Sequence, residues 1–185
     1  VADRDWTTPP AGAVDVEQEG CDLVVGGGGT VVVIDTRTGL PRSLRAGGRE
    51  LLERPAELNI WRAPTDNDRH VRLEWERARY HQAAVRAYGV EVDEGPGCVT
   101  VRAEVAMVAP SIQPVLRGET AWTIWDDGEV DLRLAVRRAE GFPSLPRLGL
   151  RLFLPEAMRQ VSYYGLGPLE SYADKRRASW PGEFA

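Results

Sequence analysis

The feature that most constrains the fold is a rhythm: short runs of β-forming residues, each closed within a few positions by glycine, proline or aspartate. Cys21 to Val25, Gly29 to Asp35 with its Val-Val-Val-Ile core, Ser43 to Arg45 and Leu51-Leu52 follow one another in this way. Asp35-Thr-Arg-Thr-Gly39 and Ala46-Gly47-Gly48 supply the turns between them. The pattern resumes at Cys98 to Met107, Thr120 to Trp125, Glu129 to Val136, Leu148 to Leu154 and Gln160 to Tyr164, with Asp126-Asp127-Gly128 placed as a hairpin turn. About ten short strands in this order predict an all-β chain, a twisted antiparallel sandwich. The glycine run Gly26 to Gly29 lies between two strands and opens no helix, so it reads as a hairpin tip rather than a phosphate cradle.

One segment departs from the rhythm. Leu73, Trp75, Ala78, Tyr80 and Val85 recur near helical spacing among Glu74, Glu76, Arg77 and Arg79. The spacing predicts a short helix over 73–83.

A chain of 185 residues can bury a core of useful size in one domain. Its 23 basic and 28 acidic side chains give a formal charge of −5, which offers no basic stripe for nucleic acid and no polybasic membrane anchor. Lys175 is the single lysine, and no apolar run approaches the roughly 18 residues needed to cross a bilayer. Val1 to Pro10 lacks the layout of a signal peptide, so the expected location is cytoplasmic. The Pro/Gly-rich joint at 7–12 marks residues 1–12 as the tail of a preceding domain with its linker, and 13–185 as the domain proper. The end at Ser179 to Ala185 reads as continuing loop, and a sandwich cut there is expected to leave unpaired sheet edges. Cys21 and Cys98 lie far apart without a Cys-x-x-Cys or nearby histidine, and are expected as reduced, half-buried thiols.

Chemistry concentrates at residues 58–68, Leu-Asn-Ile-Trp-Arg-Ala-Pro-Thr-Asp-Asn-Asp. An apolar strand bearing Leu58, Ile60 and Trp61 runs into an arginine, a proline and two aspartates flanking an asparagine. So many polar groups beside a buried strand need partners in one another or outside the chain. Two compatible readings follow. Arg62 can clamp Asp66 or Asp68 while Asn67 or Asp68 caps the coming helix, or the loop can edge a site. Asp66 and Asp68 do not make a credible acid and nucleophile pair, because nothing beside them sets one pKa above the other.

This stretch closely resembles the Trp-Arg-Ala-Pro-Thr-Asp-Asn-Asp signature in the C-terminal region of bacterial β-galactosidases of glycoside hydrolase family 2. Residues 163–176, Tyr-Tyr-Gly-Leu-Gly-Pro-Leu-Glu-Ser-Tyr-Ala-Asp-Lys-Arg, are similar to that family's Gly-x-Gly-Pro-x-Glu-x-Tyr-x-Asp-Arg/Lys segment, in the same order. The resemblance covers roughly residues 15–180 and implies the N-terminal part of a mutarotase-like supersandwich. It further implies a parent enzyme that hydrolyses terminal β-D-galactosyl bonds, as in lactose, by double displacement between two carboxylates. Those carboxylates belong to a barrel domain outside this chain, so no catalytic residue is assigned here.

The family's Mg²⁺, and Na⁺ beside it, are implied for the parent, with no metal ligand placed in these residues. The implied partners are the catalytic barrel, the parent's other domains and its galactoside substrate, with room for a homo-oligomer. The resemblance makes Asp66, Asn67, Asp68, Arg69 and His70 candidates for the active-site rim, with Trp61, Arg62, Gly165, Gly167, Pro168, Glu170, Tyr172 and Asp174 as a structural network. His70 stands where the family commonly has glycine at the start of a mobile loop, and it is less permissive of positive φ. Two other classes remain open: the small subunit of a two-chain β-galactosidase, and a free-standing mutarotase-like sugar-binding module. In the residues alone, Trp61, Trp122, Trp125, Tyr163 and Tyr164 fit core packing better than a sugar platform.

Overall fold

The structure is a computed structural model that describes residues 13–169 and 176–185. The chain divides into two compact units, one ending at Phe153 and the other spanning Leu154–Ala185. The first is an antiparallel sandwich.

One of its sheets is a five-stranded meander of β1 (Asp15–Glu19), β2 (Asp22–Gly27), β3 (Thr30–Asp35), β4 (Leu40–Ala46) and β5 (Arg49–Glu50). Strict alternation aims Leu23, Val25, Val32 and Ile34 inward. Next comes β6 (Arg54–Asn59), followed after the helical segment by a four-stranded sheet of β7 (Ala84–Gly95), β8 (Cys98–Ala109), β9 (Ile112–Trp125) and β10 (Val130–Arg138). β11 (Gly149–Phe153) returns to pair with β6.

Val99, Val101, Trp122 and Ile124 from the four-stranded sheet share one buried cluster with Val25, Val32 and Ile34 of the meander. Gly39 links the two layers at a point. Its carbonyl accepts hydrogen bonds from Thr120 Oγ1 at 3.1 Å and Trp122 Nε1 at 3.0 Å. The chain passes so close that a Cβ at residue 39 would lie 2.5 Å from that of Ala103, and φ there is +68°. Only glycine fits both conditions. At the far end the β2–β3 and β9–β10 hairpin tips meet, and a Cβ on Gly28 would fall 2.2 Å from the Asp127 backbone.

The turns at Gly28-Gly29, Gly47-Gly48 and Gly128 all use positive φ, as their sequences predict. The expected strand at Leu51-Leu52 is displaced. Pairing occurs at Arg49–Glu50 instead, because the Glu50 carboxylate accepts the N–H groups of Leu44 and Leu52 and the Ser43 hydroxyl, pinning Leu52 as a buried plug beyond the strand.

The helix expected over 73–83 is two pieces. α1 runs Val71–Arg77, Arg79 adopts left-handed φ 54° and ψ 36°, and a 3₁₀ turn covers Tyr80–Gln82. The physical reason is direction: five positions on one α-helix would turn Trp75 and Tyr80 apart by about 140°. The break lets both rings enter the core, at 3% and 1% exposed. Trp75 Nε1 then donates to the Ser144 carbonyl at 2.8 Å and the Tyr80 hydroxyl to that of Pro143 at 2.7 Å.

In the second unit β12 (Tyr163–Gly167) pairs with β13 (Trp180–Phe184). The expected turn at Gly165 to Gly167 is therefore strand. Gly167 serves space rather than bending: a Cβ there would sit 2.6 Å from the Tyr163 hydroxyl and 2.8 Å from the Phe184 ring, whose centroid is 5.5 Å from that of Tyr163. Gly167–Pro168 is a cis peptide. Glu170, Tyr172 and Asp174 lie outside the described residues.

Candidate functional site

The site grows from the end of β6. Asn59 closes the strand by bonding both backbone groups of Trp61, its amide donating to the Trp61 carbonyl at 2.8 Å and its Oδ1 accepting the Trp61 N–H at 3.2 Å. Arg62 is thereby aimed across the loop. Its guanidinium grips Asp68 in a two-pronged bond, Nη1 to Oδ2 at 2.5 Å and Nη2 to Oδ1 at 3.0 Å. Nε reaches the Pro146 carbonyl at 3.3 Å. The Trp75 ring lies 5.4 Å from the guanidinium carbon.

Asp68 also accepts the Thr65 N–H at 2.8 Å and the Thr65 hydroxyl at 3.0 Å, closing the 3₁₀ turn Asp66–Asp68 on itself. It caps its own turn, not the helix that starts at Val71. Only 8% of Asp68 is exposed. Arg62 first, and the Thr65 N–H after it, hold its carboxyl well below the usual carboxylate range against the opposing pull of burial.

The other rim candidates stand outside this clamp. Asp66, Asn67, Arg69 and His70 are exposed, with Arg69 Nε donating to His70 Nε2 at 3.1 Å. The two aspartates therefore have opposite fates: Asp68 is held in its ionised form by Arg62 and is fully engaged, and Asp66 is exposed. Neither is placed as a proton donor beside a nucleophile.

A cleft of 420 Å³ opens next to Trp61, walled by β6 and by His81, Ala83 and Val85. Trp61 stands edge-on to His81 at 5.4 Å and to Trp75 at 6.4 Å. The one carboxylate lining this cleft, Glu57, is paired with Arg151 at 3.2 Å, so the cleft lacks the two carboxylates of a glycosidase. Among the described residues no three His, Cys, Asp or Glu side chains converge as metal ligands. Trp122 is buried in the sandwich core, Trp125 is buried beside Asp131, to which its Nε1 donates at 2.9 Å, and Tyr163 and Tyr164, against the expected core packing, are 45% and 77% exposed. No described helix is long and apolar enough to cross a membrane.

Sequence reasoning missed Pro146, Pro143 and Ser144, whose carbonyls hold Arg62, Tyr80 and Trp75. A backbone acceptor leaves no trace in side-chain identity.

Fold and site together define an all-β module whose most polar cluster is a structural clamp beneath an exposed loop. The chain belongs to the β-galactosidase small-chain family, whose pattern it matches over residues 26–185. It is similar to the β-galactosidase of Actinobacillus pleuropneumoniae, 35% identical over 142 residues, which cover 77% of this chain and 14% of that protein. The enzyme of Staphylococcus xylosus is 38% identical over 126 residues, covering 68% and 13% respectively. That of Lactobacillus delbrueckii subsp. bulgaricus is 32% identical over 180 residues, covering 94% and 17%. The chain thus spans less than a fifth of the length of these relatives.

Proposed function

We propose that this chain is a non-catalytic domain of a retaining β-galactosidase, packed on the catalytic barrel with its 65–70 loop bordering the galactosyl site. The observation that carries the reading is the division of labour in the loop. Arg62 and Asp68 make a rigid base, and Asp66, Asn67, Arg69 and His70 are presented outward from it. A rim that positions substrate needs such support, because hydrogen-bonding groups act only when held in place. The hydrolysis itself, double displacement at a terminal β-D-galactosyl bond, falls to carboxylates elsewhere in the enzyme. Both acids of this loop are unsuited to it, Asp68 being clamped and Asp66 exposed without a second carboxylate placed opposite it.

The family's description as a small chain favours a second reading, in which the same domain is a separate subunit joined to a large catalytic chain. Sequencing the gene upstream of Val1 separates the two.

The rim is tested in the full-length enzyme with Asp66→Ala, compared with Cys21→Ala, an exposed residue remote from the loop in sequence. At a temperature where both variants are folded, Asp66→Ala lowers kcat/KM for a nitrophenyl β-galactoside by about tenfold or more, the scale of one lost hydrogen bond to a charged group. Cys21→Ala leaves it unchanged. Wild-type kinetics in Asp66→Ala would reduce the loop to scaffold and remove the rim.

A further inference from the structure

The outward face of the four-stranded sheet is sorted by charge along its strands. The register sets Arg86, Ala106, Arg117 and Arg137 side by side, one from each of β7, β8, β9 and β10. Arg117 and Arg137 are direct cross-strand neighbours, an arrangement that costs stability unless something offsets it. Among the described residues none of these three guanidiniums has a carboxylate within 4.0 Å, and the one recorded contact is Arg117 over the Tyr88 ring at 5.8 Å. A chain with a net charge of −5 has therefore collected three cations in one row and left them without an ion pair among the described residues.

At the other end of the same face the order is reversed. Asp93 on β7 and Asp131 on β10 occupy one row, with Thr100 and Thr123 between them. Between the two ends lie a row holding Glu104 and Glu119 and a row holding Arg102 and Arg133 with Glu91 at its β7 end, Arg102 reaching Glu119 at 3.9 Å. The sequence of rows is basic, acidic, basic-rich, acidic. Reversing it places every row against one of opposite sign.

We infer that this face is a self-complementary docking surface for a second copy of the chain, stacked face to face about a two-fold axis that runs across the strands. Such an axis reverses each strand over its own copy. Arg86 then meets Asp93 of the second copy, Arg137 meets Asp131, and Glu104 meets Arg102, with the same three pairs repeated by symmetry. Neither end meets its like. Arg102 already binds Asp93 at 2.8 Å within the chain, so the Arg86 contact completes a carboxylate with two cations rather than separating an existing pair.

Four strands and four rows make a patch of about 500 Å² per copy from ordinary strand spacings. That is below the roughly 800 Å² per partner of a standard interface, so the contact is weak and salt-sensitive when it acts alone. The exposed leucines of β11 and of the second unit offer other routes to self-association, and the test has to separate them.

Sedimentation of the 185-residue chain at low and high salt, with Arg86→Glu and Asp93→Arg as reciprocal variants, makes that separation. Both residues are exposed, and matching circular dichroism confirms the folds. The chain associates at about 20 mM salt and dissociates by about 500 mM, as screening of surface charge requires. Each variant alone is at least tenfold weaker in self-association, and the equimolar mixture recovers it, because each new charge meets its opposite on the other copy. A monomer at low salt overturns the inference. So does association that survives both charge reversals, or variants whose mixture stays monomeric.

Discussion

Replacing Gly39 by alanine tests whether the two sheets are held at a fixed separation. Two costs combine there. Residue 39 sits at φ +68°, where an L side chain is strained by about 1 kcal/mol. The new methyl would also start 2.5 Å from Ala103 Cβ and 3.2 Å from both Thr120 Oγ1 and Val105 Cγ1. Carbon atoms settle near 3.5–4.0 Å, so the layers must part by about 1 Å or the turn must lift, an overpacking cost of about 1–3 kcal/mol. Lifting the turn also withdraws the carbonyl that serves Thr120 and Trp122.

The sum is about 2–4 kcal/mol, or a fall in Tm of roughly 5–15 °C for a chain of this length. Gly47→Ala supplies the control, since φ is +57° there and nothing lies within 4 Å of the added methyl. Strain alone then predicts a fall of about 2–4 °C. Calorimetry or circular dichroism melts of both variants at one pH decide it. If they melt within about 2 °C of each other, close approach at Gly39 has no energetic weight and the two-layer account of that turn is wrong.

Asp68→Asn reports on the clamp through pH. The native carboxyl titrates below its unfolded value of 3.8, so its contribution is complete above about pH 4 and is lost as pH falls from there; the Tm gap to wild type is widest at pH 5–7 and closes in acid. Asp66→Asn, on an exposed side chain, leaves the melting curve in place over the same range. Tyr80→Phe removes the hydroxyl that serves the Pro143 carbonyl and costs about 1–2 kcal/mol by thermal melting near neutral pH. Burial pushes that hydroxyl up to about 12, so its contribution holds below pH 10 and fades as pH rises towards 12, where wild type loses stability faster than the variant.

Hairpins were the most legible part of the fold. Asp126-Asp127-Gly128 and the Gly26–Gly29 tip carry turn chemistry in the residues themselves, and glycine at positive φ is a local property. Strand β7 was not legible. Its alternation is interrupted by the extra residue Tyr88, where the pairing slips between Ala87 and Gly89, and Val85 fits the helical period just before it. Tertiary demand decided the helix, since Trp75 and Tyr80 both needed the core and a continuous helix could not deliver them. In the candidate site Arg62 was visible as a clamp, but the choice of Asp68 over Asp66 depends on a one-turn 3₁₀ geometry that neighbouring aspartates do not spell out. Gly167 had two possible meanings, bending or making room for a ring, and composition alone does not separate them.

The clamp has a consequence for the order in which the chain acquires its shape. Arg62 binds the Pro146 carbonyl 84 residues away, Trp75 binds that of Ser144 across 69, and Tyr80 binds that of Pro143 across 63. All three contacts close over the same long excursion, the whole β7–β10 meander. Loop closure on that scale comes at an entropic cost before any contact rewards it, so local hairpins form first. The grip of Arg62 on Asp68 is local, but its tie to the Pro146 carbonyl forms only after the meander is complete, so during synthesis the 65–70 loop is not fixed to the rest of the sandwich until the ribosome has delivered residue 146 and the exit tunnel has released it. Proteolysis of stalled nascent chains would find the loop cleavable in a chain ending near residue 138 and protected in the finished one.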